Sequence, residues 1–164
     1  MAFDMETVRT ALINALIANT ATIAGSLTAG VVNAIKRGAP STQPVGLNQY
    51  PAIWVAYAGK AEDWAELGPS ARRTIRPRLR IVGAVMGTAE SNAAGGSSHV
   101  TAESQAATMA DNIENVIRDN ITLSQTVAWI KPTNTEYNYQ GAGFAPEAHV
   151  SAFMIETEAF TFDT

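Results

Sequence analysis

The sequence contains no cysteine, which removes disulfides, thiolate metal sites and cysteine nucleophiles and leaves the redox compartment open. Charge is scarce: charged residues are 16% of the 164 against 46% apolar ones, too apolar a balance for a disordered chain and enough to bury a core. Eleven Lys and Arg stand against fifteen Asp and Glu, a net charge of −4. That is the wrong sign for a protein that grips nucleic acid over its whole surface, so any basic contact must be local. The two histidines, His99 and His149, are far apart and have no acidic or second-His neighbour at ligand spacing, which argues against a metal site. Long apolar runs are missing as well. The weakly polar stretch from Ala11 to Gly30 is broken by Asn14, Asn19, Thr20, Thr22 and Gly25, so no membrane span or anchor is expected. The start, Met1-Ala-Phe-Asp, carries an acidic residue where a secretory signal would be positive, and points to the cytosol. Catalytic signatures are also lacking: no nucleophile stands in a strand-turn-helix elbow, and neither Gly25 to Gly30 nor Gly95-Gly96 leads into Gly-Lys-Ser/Thr. No catalytic, cofactor-binding or metal residue is assigned, and the chain reads as a non-enzyme without cofactors.

What is present reads as one domain over residues 1–164. Met5, Val8, Leu12, Ala15 and Leu16 recur at spacings of three and four and predict a helix. Asp4 is placed to cap it, Phe3 and Val8 to staple it, and Gly25 to stop it. Val31, Val32 and Ile35 suggest a short strand before a loop punctuated by Gly38, Pro40, Pro44 and Gly46. Tyr50 to Tyr57 is dense in β-branched and aromatic residues and predicts a strand with Pro51 at its entrance. A turn is expected from Lys60 to Pro69. From Arg72 to Met86 the alternation is strict, with Ile75, Leu79, Ile81 and Val85 on one face and Arg72, Thr74, Arg76, Arg78 and Arg80 on the other. Gly87 to Thr101 is small and polar and reads as a mobile loop. Thr101 then caps a helix with Ala106, Met109, Ala110, Ile113, Val116 and Ile117 along one side, Glu114 and Arg118 at pairing distance, and Asn120 as a left-handed terminator. Strands follow at Thr126 to Lys131, stopped by Pro132, with Thr133 to Tyr139 as a candidate extension, and at His149 to Phe162, with a glycine-rich connection at Gly141 to Gly143. The order implies an α+β fold, a mixed or mostly antiparallel sheet with two helices packed on one face.

Arg72, Arg76, Arg78 and Arg80 would repel one another along a strand unless something answers them. Three answers are open: Glu156, Glu158, Glu62, Asp63 and Glu66 of the same chain; acidic groups on a neighbouring subunit; or DNA phosphates. Trp54 and Trp129 are expected in the core. Trp64, set among Glu62, Asp63 and Glu66, and the pair Tyr137 and Tyr139 are candidate interface anchors.

The Tyr50-Pro-Ala-Ile53 strand entry, the Arg-rich strand ending in Val82-Gly-Ala-Val-Met86, and the helix Ala102 to Arg118 followed by Leu123 and Thr126-Val127 together resemble the tail-terminator, or tail-completion, proteins of long-tailed bacteriophages. The resemblance is one of pattern and covers most of the chain. It implies a virion protein of the tail or neck, assembled in the host cytoplasm. It also implies a homo-oligomeric ring, a hexamer, that caps the tail tube protein, ends elongation and offers its other face to a head-tail connector or stopper. Genomic DNA would pass through the ring without sequence-specific binding. Another neck component, a tube subunit, and a small enzyme or ligand-binding domain are the alternatives.

Overall fold

The computed structural model describes residues 3–25, 27, 29–64, 73–87, 98–139 and 150–163. Helix α1 (Met5–Ala18) begins as its sequence predicts: the Asp4 carboxylate accepts from the Glu6 amide at 2.9 Å, and Phe3 packs against the core beside Val8. It does not run on to Gly25. Asn19 interrupts it, with Nδ2 donating to the Ala15 carbonyl, and a short helix α2 (Thr20–Ala24) follows. Such side chain-to-backbone bonds compete with the helical ladder, which is why Asn marks the break. Helix α3 (Ser98–Asp119) begins three residues before Thr101, so the end of the expected loop is helical, while 88–97 lie outside the described residues. Its stripe of Ala102, Ala106, Met109, Ala110, Ile113, Val116 and Ile117 is buried, and Arg118 pairs with Glu114 at 2.6 Å.

Five strands form one sheet: β1 (Ala34–Arg37), β2 (Ala52–Trp64), β3 (Arg73–Met86), β4 (Trp129–Tyr137) and β5 (Val150–Asp163). Their order is β1-β2-β3-β5-β4; β1 runs parallel to β2 and every other pair is antiparallel. This is the expected α+β architecture, with the helices layered on one face. Leu12 and Leu16 of α1, Ile23 of α2 and Met109, Ile113 and Ile117 of α3 meet Ile53, Val55, Leu79, Ile81, Phe153 and Ile155 of the sheet.

Several boundaries move. Val31 and Val32 precede β1 instead of forming it. Residues Lys60 to Trp64, expected in a turn, continue β2 opposite Arg73 to Pro77. Pro132 lies within β4 and does not stop it, because β4 is an edge strand and the pairing shifts register between Pro132 and Asn134, so the missing N–H interrupts no ladder. Thr126 to Ala128 form a turn ahead of that strand. Asn120 does not take the left-handed conformation; its Nδ2 donates to the Val116 carbonyl, and Leu123, Ser124 and Gln125 carry the positive φ values of 45°, 57° and 69°.

Two positions test this packing. Gly83 lies opposite Phe153 in the β3–β5 register, and a Cβ built there would sit 2.1 Å from the Phe153 ring. Gly83→Ala is expected to destabilise the fold by about 1–3 kcal/mol in chemical denaturation, the cost of overpacking. Ser124→Gly, on an exposed residue held at φ 57°, is expected to raise the denaturation midpoint by relieving about 1 kcal/mol of backbone strain.

Candidate functional site

The face of the sheet opposite the helices divides into three zones along the strands. At the end formed by Ala52, Trp54, Val82, Ala84, Ala152 and Met154 it is apolar and covered by the segment joining β1 to β2, which contributes Val45 and Tyr50. Trp54 is fully buried there, in the core as expected, and its indole N–H donates to the Gln43 carbonyl at 2.8 Å. That bond satisfies the one polar atom of the side chain and pins the covering segment down.

The middle zone holds the arginine row. Arg80 lies 3.1 Å from Glu156, Arg78 3.4 Å from Glu158, and Arg76 3.7 Å from Asp63. The first two carboxylates stand directly across the β3–β5 ladder, where opposite charges attract and like charges would repel. Each of these three arginines thus has an acidic partner within the chain. Arg72 and Glu66 lie outside the described residues. Exposed ion pairs contribute only about 0–1 kcal/mol each, so the pairing cancels charge more than it stabilises. It also leaves Arg78 58% exposed with guanidinium surface still open. A shallow depression of about 360 Å³ lies between Arg78, Arg80, Thr133, Asn134, Glu156 and Glu158. Its carboxylates, Glu156 and Glu158, are paired with Arg80 and Arg78. Among the described residues no group of His, Asp and Glu is arranged to hold a metal ion, and no helix is long and apolar enough to cross a membrane.

The third zone is aromatic. Trp129, expected in the core, is half-buried on this outer face, because its register partner is Phe160 and not a residue beneath the helices. The two rings stack 5.5 Å apart at 5°, and Phe162, 61% exposed, meets Phe160 edge-on at 4.9 Å. The ammonium of Lys131 sits 5.0 Å from the Trp129 ring centroid. The alternation Phe160-Thr-Phe162 was the sequence signal, but without strand order it cannot reveal which face those rings occupy.

The remaining candidate anchors separate. Trp64 ends β2, is 58% exposed, and has the Arg73 guanidinium 5.6 Å above its ring. Tyr137 and Tyr139 do not act as one pair. Tyr137 turns toward α3, where partial burial and then the charges of Asp111 and Glu114 raise its phenol above its ordinary value, whereas Tyr139 packs against the apolar outer zone. Asn138 between them has φ 56°. His99 falls in the first turn of α3, and His149 and Gly141 to Gly143 lie outside the described residues.

On the helix side, Glu6 accepts hydrogen bonds from Arg9, Arg37 and Tyr57, joining α1 to β1 and β2. The Tyr57 hydroxyl is the largest of the influences that lower the Glu6 carboxyl below its ordinary value, followed among the favourable ones by Arg9 and Arg37.

Fold and face together describe a one-sided α+β domain with a broad open sheet surface. No protein-family model and no curated protein matches the chain. Among solved structures 27 chains match. One belongs to the virion of a native gene transfer agent particle; it is 13% identical, the match covers 95% of each chain, and the TM-score is 0.53. At that identity the likeness establishes a shared fold.

The Glu6 network has a pH signature. A carboxyl depressed in the folded state contributes stability that is present above its unfolded value of about 4.5 and disappears as pH falls through the lower folded value. Glu6→Gln is therefore expected to lower the thermal midpoint at pH 7 and to converge with the parent protein as pH falls below the ordinary carboxyl range. A constant difference across that range would remove Glu6 from the ionic clamp.

Proposed function

We propose that the protein is a virion structural subunit of the tail-terminator type, which works by fitting against other subunits and not by catalysis. The observation that carries this reading is the open outer face of the sheet, with its arginine row and exposed aromatic end. It occurs in a fold shared over almost the whole chain with a component of a gene transfer agent virion. A sheet covered by helices on one side leaves the other free for a head-to-tail contact, and rings are built from such contacts when the rotation closes.

In this reading six copies form a ring that seats on the last ring of tail tube protein and stops its growth. The ring presents its other side to a head-tail connector or stopper protein, and genomic DNA passes through the centre. The site of action is the tail or neck of the virion, reached after assembly in the host cytoplasm. Arg76, Arg78, Arg80, Trp64, Tyr137 and Tyr139 are proposed contact residues, and Arg72 joins them from the sequence row.

Electron microscopy and mass measurement of the purified protein test the proposal. Closed rings of uniform subunit number, binding to tube ends, are expected. A monomer at high concentration that ignores tail tubes would overturn it, and open tubes of indefinite length would reassign the chain to the tube itself. A saturating thermal shift with a nucleotide or metal at micromolar concentration would instead indicate a ligand-binding domain.

A further inference from the structure

Single charges without an ion pair among the described residues stand on both layers of the subunit, with opposite sign: Lys131 on the sheet side, Asp111 and Asp119 on the helix side. On the sheet side, Lys131 makes no ion pair among the described residues. Its ammonium lies over Trp129, whose ring continues through Phe160 to the exposed Phe162. Beside it, Arg78 is more than half exposed despite its pairing with Glu158. On the helix side, α3 exposes Asp111, which lies beside the Tyr137 hydroxyl, and Asp119; neither makes an ion pair among the described residues, and the exposed cation nearby, Arg118, is held by Glu114. Asp119 also stands at the helix C-terminus, where a negative charge is disfavoured by the helix dipole and gains most from an external cation.

We infer that the aromatic end of the outer sheet face, Trp129, Phe160 and Phe162 with Lys131, docks on the exposed acidic side of α3 of a second copy. This inference rests on the ring reading above and specifies which surfaces meet in it. The physical argument is charge complementarity around an apolar centre. Exposed aromatic rings supply the area that gains most from leaving water, and flanking opposite charges fix the register and suppress the like-to-like alternative, in which Lys131 would face another Lys131. Because the two surfaces lie on opposite layers of one subunit, the contact is front to back, the heterologous kind that propagates from copy to copy and can close. The carboxylates that face Lys131 within its own subunit, Glu158 across the strand and Glu156 beyond it, are already engaged by Arg78 and Arg80. That leaves the Lys131 charge for a partner.

Two charge-reversed variants test the contact: Lys131→Glu, and the double change Asp111→Lys with Asp119→Lys. Each alone sets like charges against each other at every junction, so native mass spectrometry should show monomers. Mixed in equal amounts they should assemble, alternating strictly, because a reversed sheet face then meets a reversed helix and an unaltered sheet face meets an unaltered helix. Phe162→Ser is expected to weaken assembly of the otherwise unaltered chain by roughly tenfold or more. Circular dichroism and the thermal midpoint confirm that each variant is folded. If the single variants assemble as the parent does, if their mixture stays monomeric, or if Phe162→Ser changes nothing, this contact is wrong while the parent's rings leave the ring reading intact. If the parent itself never assembles, the ring reading falls, and this contact with it.

Discussion

A single apolar seam between the helix layer and one face of the sheet organises everything else in the molecule. α1, α2 and α3 bring Leu12, Leu16, Ile23, Met109, Ile113 and Ile117 onto the inward side chains of β2, β3 and β5. A strand alternates its side chains between two faces, so commitment of one face to the helices settles what the other must be. On β3 the inward row is Ile75, Leu79, Ile81, Gly83 and Val85, and the outward row is Arg76, Arg78, Arg80, Val82 and Ala84. Gly83 belongs to this constraint: the Phe153 ring fills the space that its absent side chain leaves.

Two register shifts then redistribute side chains without disturbing the seam. Between Tyr57 and Gly59 the β2 pairing slips by one residue, and the same happens on β4 between Pro132 and Asn134. A one-residue slip exchanges the faces for the rest of the strand. Asp63 consequently lies on the outer side within reach of Arg76, while Glu62 is placed to meet Arg73 and Lys60. On β4, Thr135 and Tyr137 turn toward α3, where Thr135 hydrogen-bonds Glu114.

The outer face inherits its gradation from these choices. The covered apolar end, the neutralised arginine band and the open aromatic end follow one another along β3 and β5. Pairing within the chain keeps the arginine row from repelling itself in an isolated subunit, so the row can persist before a partner arrives. At the aromatic end Phe162 remains exposed among the described residues, and exposed apolar patches on a folded domain mark contact surfaces.

The sequence by itself determined the helices and central strands, because their signals are local: the Asp4 cap and the three-four spacing of α1, the apolar stripe of α3, and the period of two in β3 all arise within a few residues. It offered Glu156, Glu158 and Asp63 among the charges that could answer the arginines, but left a neighbouring subunit and DNA phosphates as equally open answers. Tertiary structure alone decided which acid meets which arginine, that Pro132 sits harmlessly in an edge strand, and that Trp129 faces outward to stack on Phe160. Those outcomes depend on strand order and on slips of register, which are set by pairing between residues far apart in the chain and leave no periodic trace in either partner's sequence.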